Sequence, residues 1–327
     1  MALYLGNQKV SLRSGQDPTF DYGFDSNGRL VFANKNATEI NNFLNYDSSY
    51  SETLDLSNLN KMEKVAVNGT ANRKMEGLKG LLVSQNAPFT GSSPQINASY
   101  TGLNKSALVS LFESAPYNVG YTKVGNPTIV DGVVSGFSSS DYLTIQKQIP
   151  NLENAELQIT ITPKATTGEV FLFLNKVFSV QLNNGSIQSY DFKNQHGIIV
   201  VPASDLTLGS SYKIKIQCYA DLEDSSTLKI SYCYSKNGSA FTSPVINETL
   251  KEQTGNIYIG NWQKLSRPFT GSIDLNETYI KVNGVPWFTG KPAMTKTCSI
   301  VGATGTADLT QEDKNIILNK GWSLTVQ

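Results

Sequence analysis

Between residues 117 and 292 the chain repeats one pattern: short runs of alternating apolar and polar residues, closed by Gly and Asn turns, with no helical period between them. Lys213-Ile-Lys-Ile-Gln-Cys218 alternates cleanly, as a strand with one face in water should. Val170-Phe-Leu-Phe-Leu174 is apolar on both faces and belongs in the middle of a sheet pair. Thr128–Ser135, Tyr142–Ile145, Leu157–Thr162, Phe178–Leu182, Ile198–Val201, Leu228–Tyr234, Asn256–Ile259 and Thr278–Val282 read the same way. Asn183-Asn-Gly185, Leu208-Gly209, Lys236-Asn-Gly238 and Asn283-Gly284 supply the turns. About ten short strands without an intervening helix predict an antiparallel two-sheet sandwich.

The most informative stretch is Pro268–Gly290, PFTGSIDLNETYIKVNGVPWFTG. Asn283-Gly284 accepts positive φ at both residues, so the spacing gives a β-hairpin whose return strand carries Trp287 and Phe288. The combination of that hairpin with Ile259-Gly-Asn261 resembles the closing strands of concanavalin A-like, laminin-G-type jelly rolls found in bacteriophage structural and fibre proteins. GNPTIVDGVVSGFSSSDYLTI, from Gly125, resembles the first strands of the same family, so the likeness covers Gly125–Gly290. It implies a jelly roll and a place in a virion.

The flanks differ. Residues 1–35 hold short strand-like pieces around Leu3–Leu5 and Arg29–Phe32 and are expected to form an N-terminal β arm. ALYLGNQKV at the start resembles the opening of phage minor structural proteins. In 36–103, Thr53–Leu56, Val65–Val67, Leu81–Val83 and Gln95–Ala98 recur at about 11 to 16 residues, shorter than the roughly 20–29 of leucine-rich repeats. A stack with one strand per unit is expected. Leu103, Ala107, Leu108, Leu111 and Phe112 make one stripe of a helix over 104–115, capped by Asn104 and stopped by Pro116. After a strand at Thr297–Val301, Thr310 and Asp313 form a capping box, Gly321 ends the helix, and Trp322, Leu324 and Val326 alternate along a last strand. This tail, CSIVGATGTADLTQEDKNIILNKGWSLTV, resembles the end of a leucine-rich-repeat-like module of phage and gut-bacterial surface proteins, in which it follows directly on a helix like TGLNKSALVSLFESAP. The expected architecture is therefore mostly β: a jelly roll (117–292) inserted into a small α/β repeat-like module built from 36–116 and 293–327. Insertion at a loop with nearby ends is physically tolerated.

Composition excludes several classes. Lys+Arg and Asp+Glu balance at 27 each, so no net field draws nucleic acid or an acidic membrane. No apolar run is long enough to span a bilayer. The start has no basic segment leading into an apolar core, so no secretory signal is expected. Cys218, Cys233 and Cys298 cannot all pair, and alternation places Cys218 and Cys233 on opposite faces; three free thiols and assembly in a reducing bacterial cytoplasm are expected. With His196 as the only histidine, a His-based triad or structural zinc is not expected.

The sandwich fold also hosts glycan hydrolases, which need paired carboxylates. Their Glu-x-Asp-x-x-Glu strand is absent, and Asp274 and Glu277 stand at odd spacing, on opposite faces if their strand is continuous. No P-loop, dinucleotide fingerprint or Gly-x-Ser-x-Gly occurs. No catalytic residues, cofactor or metal are expected. Asp131, Asp141 and Asp274 could contribute oxygens to a Ca²⁺ site, but no spaced motif unites them. Glycan binding draws on aromatic stacking with Asn and Arg hydrogen bonds from loops. Gly260-Asn-Trp-Gln-Lys-Leu-Ser-Arg267 offers Asn261, Trp262 and Arg267 for it; the bland alternative has Trp262 packing on the hairpin edge or a neighbouring subunit. The expectation is a non-enzymatic virion protein: a head fibre, tail fibre, receptor-binding or capsid-decoration component contacting bacterial surface glycan. Self-association, as a trimer, and contact with other virion proteins go with that role. The alternatives are a purely structural virion subunit and a glycan-active hydrolase.

Overall fold

The computed structural model describes residues 37–41, 52–166, 168–174, 177–192, 197–250, 255–261 and 267–327, with the backbone of short strands at 3–5, 8–10, 22–24 and 30–32. The protein is mostly β and forms two compact units, Met1–Asn118 with Thr295–Gln327, and Val119–Met294.

In the first unit β1 (Leu3–Leu5) and β2 (Gln8–Val10) pair antiparallel, as do β3 (Tyr22–Phe24) and β4 (Leu30–Phe32). From there the pairing turns parallel. β4, β6 (Glu52–Leu56) and β8 (Leu78–Val83) stack in one sheet; β5 (Glu39–Asn41), β7 (Lys64–Ala66) and β9 (Ile96–Asn97) stack in another. Successive strands thus alternate between two sheets, a solenoid-like arrangement. Leu54 pairs with Leu30 below and Leu81 above, and Val65 with Ile40 and Ile96. The short spacing read from sequence is therefore half a coil. One strand per unit is corrected to two, because each coil has two walls to close. The boundary expected at residue 35 falls between β4 and β5, and β4 on its N-terminal side is hydrogen-bonded into the stack.

Leu54, Leu56, Val65, Val67, Leu81, Val83 and Ile96 are at most 1% exposed and form the core of the stack. α1 (Lys105–Ser114) takes the next wall position. The Asn104 side chain accepts from Ala107 N at 2.9 Å, and Leu108, Leu111 and Phe112 turn inward. Ser114 Oγ accepts from Val83 N at 3.1 Å, fastening the helix end to β8.

The second unit contains β10 (Val119–Val124), β11 (Thr128–Val130), β12 (Val133–Ser135), β13 (Tyr142–Ile145), β14 (Ala155–Thr162), β15 (Glu169–Leu174), β16 (Phe178–Asn183) and β17 (Ser186–Asp191). β18 (Gly197–Val201), β19 (Tyr212–Ala220), β20 (Thr227–Lys236), β21 (Val245–Leu250), β22 (Ile257–Ile259), β23 (Ser272–Val282) and β24 (Val285–Pro292) complete it. Two ladders share β10. One runs β10-β13-β22-β15-β16-β17-β18, the other β10-β24-β23-β14-β19-β20-β21 with the β11–β12 hairpin laid on β23. Side chains link them: Ser189 of β17 donates to the Tyr232 phenol of β20 at 2.7 Å, and the Phe178 and Tyr232 rings stand edge to face at 6.1 Å. The sheets are sandwich-like, with Leu157, Ile159, Ile214, Ile216 and Cys218 on the buried side of the second ladder. Cys218 is buried while Cys233, opposite Lys215, faces the other way, as alternation predicts.

Two sequence expectations are corrected here. Thr128–Ser135 is a hairpin, because Asp131 and Gly132 both take positive φ (49° and 81°) and turn the chain. In β23 the register slips between Thr160↔Asp274 and Gln158↔Tyr279, a bulge that breaks the alternation assumed for Asp274 and Glu277.

After β24 the chain returns to the first unit. β25 (Thr297–Ser299) lies between β9 and β26 (Ser323–Thr325), with Cys298 opposite both Ile96 and Leu324. A coil begun before the second unit is thus finished after it. α2 (Gln311–Asn319) carries the capping box of Thr310 and Asp313. The α2–β26 link fastens the chain where it leaves: Lys320 Nζ donates to the Ala115 carbonyl at 2.6 Å, Trp322 Nε1 to Pro116 O at 2.8 Å, and Asn118 N to Lys320 O at 2.6 Å. Where it returns, Thr297 N donates to Gln95 Oε1 at 2.7 Å.

Candidate ligand-binding site

The loop after β22 is built on a pinched base. Gly260 has φ 88°, and a Cβ there would lie 2.1 Å from the Phe137 ring, so only glycine fits. Gly260 N donates to Phe171 O at 3.0 Å and its carbonyl accepts from Phe269 N at 2.9 Å. Further along, Arg267 O accepts from Val170 N at 3.1 Å, and Thr270 donates through Oγ1 and N to the Glu169 carboxylate at 2.7 and 3.1 Å. Arg267 itself is exposed.

Asn261 does not stand on that surface. It is 1% exposed, and its amide donates to the Ser138 carbonyl at 2.8 Å. Expected among the ligand groups, this short amide one residue beyond the glycine pinch ties the start of the loop to the Ser138–Asp141 turn. Trp262 lies outside the described residues, as does His196.

The neighbouring turn is held by Asp141, whose carboxylate accepts from Asn126 N at 2.7 Å and from the Ser138 hydroxyl. The Asn126 amide first, then Ser138, keep this carboxyl below the usual range. Its acceptors are committed to the turn. Asp131 sits in the β11–β12 turn, where its carbonyl accepts from Asn276 Nδ2 at 2.8 Å. Asp274 accepts from Asn276 N at 2.9 Å, and Glu277 is paired with Lys213 at 2.8 Å. Among the described residues no group of three or more His, Cys, Asp or Glu is placed to hold a metal. At the described ends of this loop, Arg267 is the exposed charged group.

A second constellation had no sequence signal. Tyr142, Tyr258 and Phe173 come from β13, β22 and β15, Phe192 from the residue just after β17, and Tyr190 from β17. Their rings succeed one another at 5.9, 5.7, 5.3 and 5.6 Å. Only strand order brings them together. Beside them Thr144 Oγ1 and Ser179 Oγ, both buried, have no hydrogen-bond partner among the described residues.

No family model matches the chain, and no curated protein matches it. Among solved structures it is similar to domains LG4-5 of the mouse laminin α1 chain, 16% identical with a TM-score of 0.34, covering 52% of this chain and 46% of that one. It is similar to a legume lectin-like domain from Entamoeba histolytica, 10% identical at 0.35, covering 50% and 90%. A third is domain 4 of an extracellular arabinanase from Geobacillus stearothermophilus, in complex with arabinotriose, 14% identical at 0.32 and covering 49% and 80%. This chain thus spans less than half of the laminin fragment. Likenesses at these scores carry no argument about ligand or activity.

Proposed function

We propose that the protein is a non-enzymatic component of a bacteriophage virion, a fibre, receptor-binding or capsid-decorating part, whose second unit contacts bacterial surface glycan. In this reading Val119–Met294 is a concanavalin A-like jelly roll inserted into a leucine-rich-repeat-like module. The virion setting is supported by the resemblance of the hairpin around Asn283-Gly284, and the ligand class by the rim. The observation that carries it is the loop between Gly260 and Phe269. Its two described ends are held by hydrogen bonds, Asn261 to Ser138 and Arg267 O to Val170 N, and Arg267 is exposed. An exposed cation at the end of this loop suits weak, repeated contact with sugar hydroxyls, and many copies in a trimeric or larger assembly would raise avidity. In this reading ligand contact is assigned to Trp262 and Arg267, and Asn261 anchors the start of the loop through Ser138.

The test uses Trp262→Ala and Arg267→Ala separately. Each should lower adsorption of particles to host cells while leaving incorporation of the protein into particles unchanged. Incorporation lost together with adsorption would point to an interface instead, and release of reducing sugar from cell-wall polysaccharide would establish a hydrolase.

A purely structural role has its own observation. The ladder-end strands β18 and β21 carry apolar side chains in solvent, Ile199 at 52% and Ile246 at 56% exposed, with Phe241 nearby in sequence at 43%. Edge strands with exposed apolar groups are ready-made seats for another protein. Charged replacements at Ile199 and Ile246 should then block assembly without touching glycan binding.

A further inference from the structure

We propose a second sugar site on the second unit, a notch between Phe173 and Tyr190 whose floor is Ser179 and whose present occupant is the ring of Phe192. This inference rests on the glycan-contact function proposed above and places a single neutral hexose at a defined position. Phe173, Ser179 and Tyr190 are direct cross-strand neighbours on β15, β16 and β17. They share one face of the ladder, because paired residues project to the same side. A serine between two aromatic rings leaves a gap above it. Phe192 fills that gap, its ring 5.3 Å from Phe173 and 5.6 Å from Tyr190, at 67° to each.

The fit is incomplete in one respect. Ser179 Oγ is fully buried and, among the described residues, unpaired, and a hydrocarbon ring cannot satisfy it. An unpaired buried hydroxyl is costly. A pyranose in the same place would set its C–H faces against Phe173 and Tyr190 and bring a hydroxyl to Ser179. The positions on this face of β16 and β17 are Ser179, Gln181, Asn183, Ser186, Gln188 and Tyr190, polar and uncharged, which suits a neutral sugar over an acidic or phosphorylated one. Access is from the Tyr190 end. Tyr190 and Phe192 are half-buried, whereas Phe173, Tyr258 and Tyr142 are 5 to 7% exposed and close the row behind.

Thr144 supplies an internal control. Among the described residues it too is buried and unpaired, and it lies on the far side of Tyr258 from Phe173. Three interstrand steps of about 4.8 Å put its hydroxyl about 14 Å from Ser179, beyond the reach of one hexose.

The experiment is saturation-transfer NMR on the full chain with methyl β-D-glucopyranoside, methyl β-D-galactopyranoside and N-acetylglucosamine, followed by titration. Ser179→Ala should weaken binding about tenfold without lowering Tm, since it removes an unpaired group. Phe192→Ala should tighten binding by clearing the notch, and Thr144→Val should leave it unchanged. Undiminished binding by Ser179→Ala overturns the inference; if Arg267→Ala abolishes that binding, the rim reading stands alone. Loss with Ser179→Ala but not with Arg267→Ala supports the notch and removes the rim. No binding by the natural chain or by Phe192→Ala overturns both.

Discussion

Asp313 shows how much one side chain does in the last coil. Its carboxylate closes the capping box with Thr310 and also meets Lys105 Nζ at 2.9 Å. The Lys105 contact first, then the Thr310 amide, hold the carboxyl at about 2. A carboxyl depressed on folding stabilises above its ordinary titration near 3.8, and that contribution is lost as pH falls toward 2. Asp313→Asn should therefore have a lower Tm than the natural chain at pH 6, with the gap closing between about pH 4 and pH 2. A gap of constant size across that range would mean the carboxylate charge is idle. At this scale the sequence is legible where the partner is local. Asn104 and Thr310 announce their caps because the amides they serve lie three residues on. Asn261 is not legible, because its carbonyl partner Ser138 is 123 residues away.

Between elements, the bulge in β23 is the least regular feature, and glycine makes it possible. Gly290 of β24 has φ 68°, and a Cβ there would lie 1.8 Å from the Leu275 carbonyl oxygen. Thr278 Oγ1 donates to the Asp274 carbonyl at 2.7 Å, and Gln158 Nε2 to that of Glu277 at 2.8 Å, so the bulged backbone is satisfied by side chains. Gly290→Ala should cost at least about 1–3 kcal/mol from backbone strain, read as a lowered urea midpoint. A midpoint equal to that of the natural chain would show that the approach relaxes without penalty. The strands of the second unit were legible where alternation was clean, as in β19. β21, Val-Ile-Asn-Glu-Thr-Leu, escaped notice because an edge strand needs only one partner and half an apolar face. In the first unit the strands were visible in sequence and their period was not. Spacing alone does not say whether the next strand lies beside the last or across from it.

Taken whole, the molecule is a solenoid-like stack whose coil is opened between α1 and β25 by a unit of sandwich-like sheets. The register of Cys298 with Ile96 is the clearest sign of this, since residues about 200 apart in sequence continue the same wall. The function we propose puts glycan contact in Val119–Met294, with the stack as its carrier. The most direct test is binding to host cell-wall polysaccharide, by calorimetry, of the whole chain, of residues 119–294 alone, and of the chain with 119–294 replaced by a short Gly-Ser linker, each first checked for folding by circular dichroism. The account predicts equal affinity per site for the whole chain and for 119–294, and no binding by the linker form. Binding that stays with the linker form, or a folded 119–294 that binds nothing while the whole chain does, would contradict it.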